Sequence, residues 1–119
     1  MGVATLFEKI VAGELPCHRV AEGENWLAFL DISPRSPGHT LVIPKRGIQH
    51  LSNLSTSQRN ELFEGVCQVE TILSCHFNTT DFTICSRDGR LDGEDVPHVH
   101  VRVIPRIAGD GGGTLQSMW

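Results

Sequence analysis

The sequence has no basic excess, no cysteine pair at metal or redox spacing, no long apolar run and no low-complexity stretch before Gly109. Lys+Arg number 10 against Asp+Glu 14, a formal net charge of -4. Phosphate backbones are gripped by clustered basic side chains, so this balance argues against broad adhesion to nucleic acid and leaves room only for a small anion at a local site. Cys17, Cys67, Cys75 and Cys85 form no C-x-x-C motif. With no secretory segment in view, they are expected as reduced thiols of an intracellular protein. The opening Met1-Gly2-Val3-Ala4-Thr5 is too polar for a signal core, and nothing approaches the ~20 apolar residues that span a bilayer. Leu6 stands where myristoylation wants Ser or Thr, so neither a membrane span nor a lipid anchor is expected.

What is present fits one domain. The 119 residues are 39% hydrophobic and 20% charged, enough to bury roughly two thirds of the unfolded surface without staples. A single domain over 1–119 is expected, with a folded body over about 4–108 and a glycine-rich tail, 109–119. Leu6, Phe7, Ile10 and Val11 share one face of a short helix that Gly13 can stop, a lid or packing helix. Short apolar runs at His18–Ala21, Trp26–Leu30, Leu41–Ile43, Phe82–Cys85 and Val99–Ile104 give about five strands. One long helix is opened by Ser55 and Gln58 as a capping box, and Leu62, Val66, Val69 and Leu73 form its buried stripe. Gly65 marks a close packing contact on that helix, and Cys67 and Cys75 are expected among its small core residues. With too few helices for parallel crossovers, the fold class is α+β: a mainly antiparallel sheet of about five strands with one long and one short helix on one face.

The informative segment is Pro97-His98-Val99-His100-Val101-Arg102-Val103-Ile104-Pro105. Strand side chains alternate faces, so two imidazoles and a guanidinium project from one side about 6 to 7 Å apart, while the valines fill the core. A half-buried strand with a solvated His/Arg face is the plain reading. Upstream, however, lies Arg87-Asp88-Gly89-Arg90-Leu91-Asp92-Gly93-Glu94-Asp95, whose glycines let backbone N–H groups converge on an anion. A neutral imidazole nitrogen can attack phosphorus and leave again near neutral pH, splitting one displacement into two.

Together with Leu27-Ala28-Phe29-Leu30-Asp31-Ile32-Ser33-Pro34 and Pro37-Gly38-His39-Thr40-Leu41-Val42-Ile43-Pro44-Lys45, this segment resembles the histidine triad (HIT) nucleotide hydrolases and transferases, from Leu6 to Gly111. The loop and triad region is most similar to the fragile-histidine-triad branch, which splits diadenosine polyphosphates. The earlier half is as similar to the nucleoside-phosphoramidate branch. The resemblance implies that His100 is the nucleophile that attacks the α-phosphorus, that His98 orients it and helps bind phosphate, and that His39 supports the triad from behind. It further implies that Asp31 contacts the ribose hydroxyls, with Leu30 and Ile32 near the base. Gly93, Glu94, Asp95 and Val96 fall on its phosphate loop, and Arg87 falls where the family has Asn or Gln.

The departures are specific. Arg102 replaces the third His, and the loop reads Gly93-Glu94-Asp95-Val96 in place of Gly-Gln-Ser/Thr-Val. Its added carboxylates repel a polyphosphate unless Arg87 or Arg102 pairs with them. Arg102 would also disfavour a proton on His100 unless a carboxylate such as Asp95 cancels its field. Where some members hold structural zinc through C-x-x-C, Thr5 and Glu8 stand here, and Gly47 stands where a ligand His would follow Pro44-Lys45, so no metal is expected. The resemblance therefore implies a hydrolase or transferase acting on diadenosine polyphosphates or adenylate esters and phosphoramidates, releasing AMP through covalent His100. The alternatives are a nucleotide-binding regulator of weakened turnover on the same fold, and a zinc site of His98, His100 and His39. The implied partners are a purine nucleotide and a second copy, a homodimer with Leu62, Phe63 and Val66 as candidate contacts. No nucleic acid, membrane or cofactor is expected, although a divalent cation can accompany a polyphosphate. The expected location is the cytoplasm, with the nucleus also open.

Overall fold

The computed structural model describes residues 4–32, 34, 36–93 and 96–110. Helix α1 (Leu6–Val11) is followed by strands β1 (Arg19–Glu22), β2 (Trp26–Leu30) and β3 (Thr40–Pro44), helix α2 (Thr56–Phe77), and strands β4 (Phe82–Cys85) and β5 (Val101–Pro105). All four strand pairings are antiparallel, in the order β1-β2-β3-β5-β4. The return from β3 to β4 carries α2 across the sheet. This is the expected α+β architecture.

Both helices begin at the same chemical device. Ser55 accepts from the Gln58 N–H at 3.1 Å while Gln58 accepts from the Ser55 N–H at 2.7 Å. Thr5 and Glu8 repeat the exchange at 3.0 and 2.9 Å, so two otherwise orphaned donors are satisfied at each helix start. Leu62, Val66, Val69 and Leu73 of α2 pack on Trp26, Ala28, Val42, Val101 and Val103. A Cβ on Gly65 would stand 2.6 Å from Trp26 Cδ2, so the bare backbone is what lets the helix approach the indole.

Four expectations are corrected. The helices do not share a face: Phe7 and Ile10 of α1 join Leu27, Phe29, Leu41 and Ile43 in a second cluster. Strands β2 and β3 are apolar on both sides, so each face needs its own cover. Cys67 and Cys75 are exposed, because the 100° helical step carries them off the buried stripe. Leu62 and Val66 are in the core and leave only Phe63, 45% exposed, of the three candidate dimer contacts. The last strand starts at Val101 instead of Val99, since the Val99 N–H bonds to the Ile48 carbonyl at 2.6 Å outside the ladder.

Candidate active site

On the α1 side of the sheet, the alternation that sends Val99, Val101 and Val103 into the α2 core leaves His98, His100 and Arg102 opposite. This face is not a solvated one. His98 is fully buried and His100 is 3% exposed, so each ring nitrogen must find a partner or carry an open cost. Phe7 meets both rings edge-on, with centroids 5.6 Å away in each case.

The partners fix the tautomers. His98 Nε2 lies 2.7 Å from the Pro44 carbonyl, which can only accept, so Nε2 carries the hydrogen. In the neutral ring Nδ1 is then the acceptor, and the Thr5 hydroxyl 2.7 Å away donates to it. His100 Nδ1 lies 2.9 Å from the His98 carbonyl and by the same reasoning donates. The second nitrogen, Nε2, keeps its lone pair: this is the electronic state of an imidazole nucleophile. With both His98 nitrogens engaged, the ring has no lone pair for the zinc alternative. Among the described residues no three His, Cys, Asp or Glu gather as a cation would require.

Asp31 continues the side of Phe29 beyond the end of β2. Its Oδ2 is 3.5 Å from His39 Nε2 and 3.8 Å from Arg102 Nη1. His39 is buried at the start of β3 by a turn in which its N–H bonds to the Ser36 carbonyl at 3.1 Å and its carbonyl accepts from the Asp31 N–H at 2.9 Å. Asp31, His39 and Arg102 are thus one group. A carboxylate facing Arg102 thus comes from the β2 end; Glu94 and Asp95 lie outside the described residues.

The loop ahead of the triad is built by its own side chains. Arg87 Nη1 donates to the Asp92 carbonyl at 2.9 Å and crosses Gly93, whose φ of +84° and closeness to the guanidinium leave no room for a Cβ. Asp88 accepts from the Leu51 N–H at 3.1 Å, tying the loop to the chain ahead of α2. Val96 packs against the α1-side cluster. Leu30 is on the opposite alternation from Asp31, and Ile32 is almost fully exposed. Opposite Arg102 across the β4–β5 ladder stands Cys85; burial pushes its thiol up, against the pull of the Arg102 and Arg87 charges.

Sequence reasoning missed Thr5 and the contact of Phe7 with the triad. The T-x-x-E box at Thr5 and Glu8 was there to be read as a helix start. Nothing local announces that its hydroxyl reaches a residue 93 positions away.

The sequence profile of the HIT domain matches residues 12–109. The chain belongs to the HIT domain family. It is 35% identical to the adenosine 5'-monophosphoramidase of Schizosaccharomyces pombe over 87% of this chain and 75% of that protein. It is 40% identical to the asymmetrical bis(5'-nucleosyl)-tetraphosphatase of the same yeast, over 70% of this chain and 46% of that one. The crystal structure of a HIT family member from Bacillus subtilis superposes with a TM-score of 0.85 at 34% identity, covering 92% of this chain and 78% of that one. Other matching HIT-like proteins are themselves uncharacterised. The family includes hydrolases of nucleotide substrates, and the five-stranded HIT sheet is the fold found here.

Proposed function

We propose that this HIT protein is a nucleotide hydrolase acting at the α-phosphate of diadenosine polyphosphates or of adenylate esters and phosphoramidates, with His100 as nucleophile. The observation that carries this reading is the 2.9 Å bond from His100 Nδ1 to the His98 carbonyl, which puts the hydrogen of the neutral ring on Nδ1 and the lone pair on Nε2. That lone pair bonds to the α-phosphorus as the bond to the leaving oxygen or nitrogen breaks, and the leaving group takes up a proton from solvent, which the attacking water of the second step returns. The nucleotidylated ring is cationic, and the carbonyl dipole at Nδ1–H stabilises it. Water then attacks phosphorus, the electron pair of the P–N bond returns to Nε2, and AMP departs. In this reading Asp31 accepts from the ribose hydroxyls, Leu30 and Ile32 flank the base, and the loop over Gly93, Glu94, Asp95 and Val96 cradles phosphate with Arg87 holding its turn. A divalent cation can accompany a polyphosphate substrate.

One observation favours the weakened regulator. Arg102 is a permanent cation beside Asp31 at the third triad position, where it can clamp phosphate but cannot exchange a proton. Both readings are tested by offering the purified chain diadenosine polyphosphates and AMP-amides, measuring AMP, and stopping the reaction without acid to trap AMP on the protein. Turnover with trapped AMP supports the hydrolase; tight nucleotide binding with neither supports the regulator.

We also propose a homodimer. Phe63 and Ile72 on α2 and Ile84 on the edge strand β4 are apolar and exposed, as a self-complementary contact requires. Sedimentation analysis of the chain checks it, with a concentration-independent monomer as the contrary result.

A further inference from the structure

We infer that Thr5 is a positioning residue for the triad, its hydroxyl donating to the Nδ1 that the Pro44 carbonyl leaves bare and so holding the His98 ring in place, at the same time as it caps α1. The inference rests on the hydrolase reading for its kinetic consequence only. The Thr5 oxygen accepts from the Glu8 N–H at 3.0 Å, and its one hydrogen is directed to His98 Nδ1 at 2.7 Å. The hydroxyl is thus used in both directions, by a helix start on one side and a fully buried imidazole on the other.

Two consequences reach His100. His98 is held between the Thr5 hydroxyl and the Pro44 carbonyl, and its own main-chain carbonyl receives the Nδ1–H of the nucleophile. Whatever moves residue 98 therefore moves the acceptor that holds the Nδ1–H of His100 and so the orientation of its ring. Helix α1, fixed at its start by Thr5 and Glu8, also delivers Phe7 to the edges of both rings. Glu8 lies over Gly47, where an added Cβ would stand 2.6 Å from Oε1, so the box is seated against the chain after β3 as well.

The test separates capping from donation. Aspartate caps a helix at least as well as threonine but, ionised, can only accept. Thr5→Asp should therefore keep α1 and lose the donor to His98, while Thr5→Ser keeps both roles and serves as the rescue. Ring-nitrogen NMR of His98 should show a protonated Nε2 and a bare, hydrogen-bonded Nδ1 in the wild-type chain and in Thr5→Ser. In Thr5→Asp the Nδ1 signal should leave that position and kcat for AMP release should fall roughly tenfold, with KM held within about twofold. An unmoved Nδ1 signal in Thr5→Asp overturns the inference, as does a moved signal with kcat retained. A chain that turns over no adenylate substrate refutes the hydrolase reading, and the Nδ1 signal then judges the role of Thr5 alone.

Discussion

The two faces of the sheet are made from alternate residues of the same strands and are stabilised in different ways. On the α2 face, Val99, Val101 and Val103 meet Leu62, Val66, Val69 and Leu73 with no polar group involved. Its stability is additive burial, tolerant of which hydrophobe fills which space. On the α1 face, His98 and His100 of the extended segment that leads into β5 are as buried as the valines, but their four ring nitrogens demand partners of the right sign. Thr5, Pro44 and the His98 carbonyl meet three of those demands, and in the neutral ring of His100 the last of them puts the lone pair on Nε2. One face secures the fold; the other spends burial on fixing a protonation state.

The sharpest way to break this division is His100→Ala. It should abolish AMP release by orders of magnitude, as expected for a lost nucleophile, and end trapping of AMP on the protein. Nucleotide binding should survive, since the ribose and phosphate contacts proposed above rest mainly on Asp31 and the loop around Gly93. Retention of more than about a tenth of wild-type kcat, far above the residue of a covalent mechanism without its nucleophile, removes His100 from that role.

Leu62→Ala is the mirror experiment on the other face. Leu62 is 1% exposed in the α2 core, and truncation there should cost about 2 to 5 kcal/mol in denaturant unfolding. Turnover per folded molecule should stay within about twofold, because nothing on the α1 face changes its hydrogen bonds. Gly65→Ala should cost roughly 1 to 3 kcal/mol by forcing the helix off Trp26. A loss of turnover from Leu62→Ala in fully folded protein would show that the two faces are coupled.

The difference between the faces also explains what could be read from the sequence. Hydrophobic period is a local signal, so Leu62, Val66, Val69 and Leu73, the five strands and the Ser55 cap were legible to within two residues. The placing of His98, His100 and Arg102 on one face followed from the two-residue period. What covers that face did not. A strand with hydrophobes on both sides, as in β2 and β3, says that two layers are needed without saying which helix supplies each. The Asp31–Arg102 pair was equally hidden, since β2 and β5 are brought together only by β3 between them. The sequence offered Asp95 as a partner for Arg102, and Asp95 lies outside the described residues.

Asp31→Asn tests that pair at a smaller scale. A carboxylate that accepts from ribose hydroxyls contributes about 1.5 to 3 kcal/mol, so affinity for adenosine nucleotides should fall roughly tenfold to a hundredfold while deoxyribose analogues change little. Since Oδ2 is 3.8 Å from Arg102, Arg102→Met should weaken ribose ligands in the same order but less, by freeing the carboxylate to turn. Calorimetric titration of both ligand types with both variants decides it. Equal losses for ribose and deoxyribose take Asp31 out of the sugar site.

The smallest effect reports the electrostatics of the α1 face without any substrate. Cys85 pairs with Arg102 across β4 and β5, whereas Cys67 and Cys75 are exposed on α2. Burial raises the Cys85 pKa, and the charges of Arg102 and Arg87 oppose that rise. Only the thiolate is alkylated, so at about pH 8 iodoacetamide should label Cys85 a few-fold more slowly than the helix pair. Removing one opposing charge should raise the Cys85 pKa further, so Arg102→Met should slow it again and shift its pH–rate curve upward, while Cys67 and Cys75 keep their rates. Peptide-resolved mass spectrometry over a pH series measures all three thiols in one sample. If Arg102→Met instead speeds Cys85, the guanidinium acts there by shielding the thiol from solvent and not by its charge. The field of Arg102 would then be spent on Asp31 before it reaches β4.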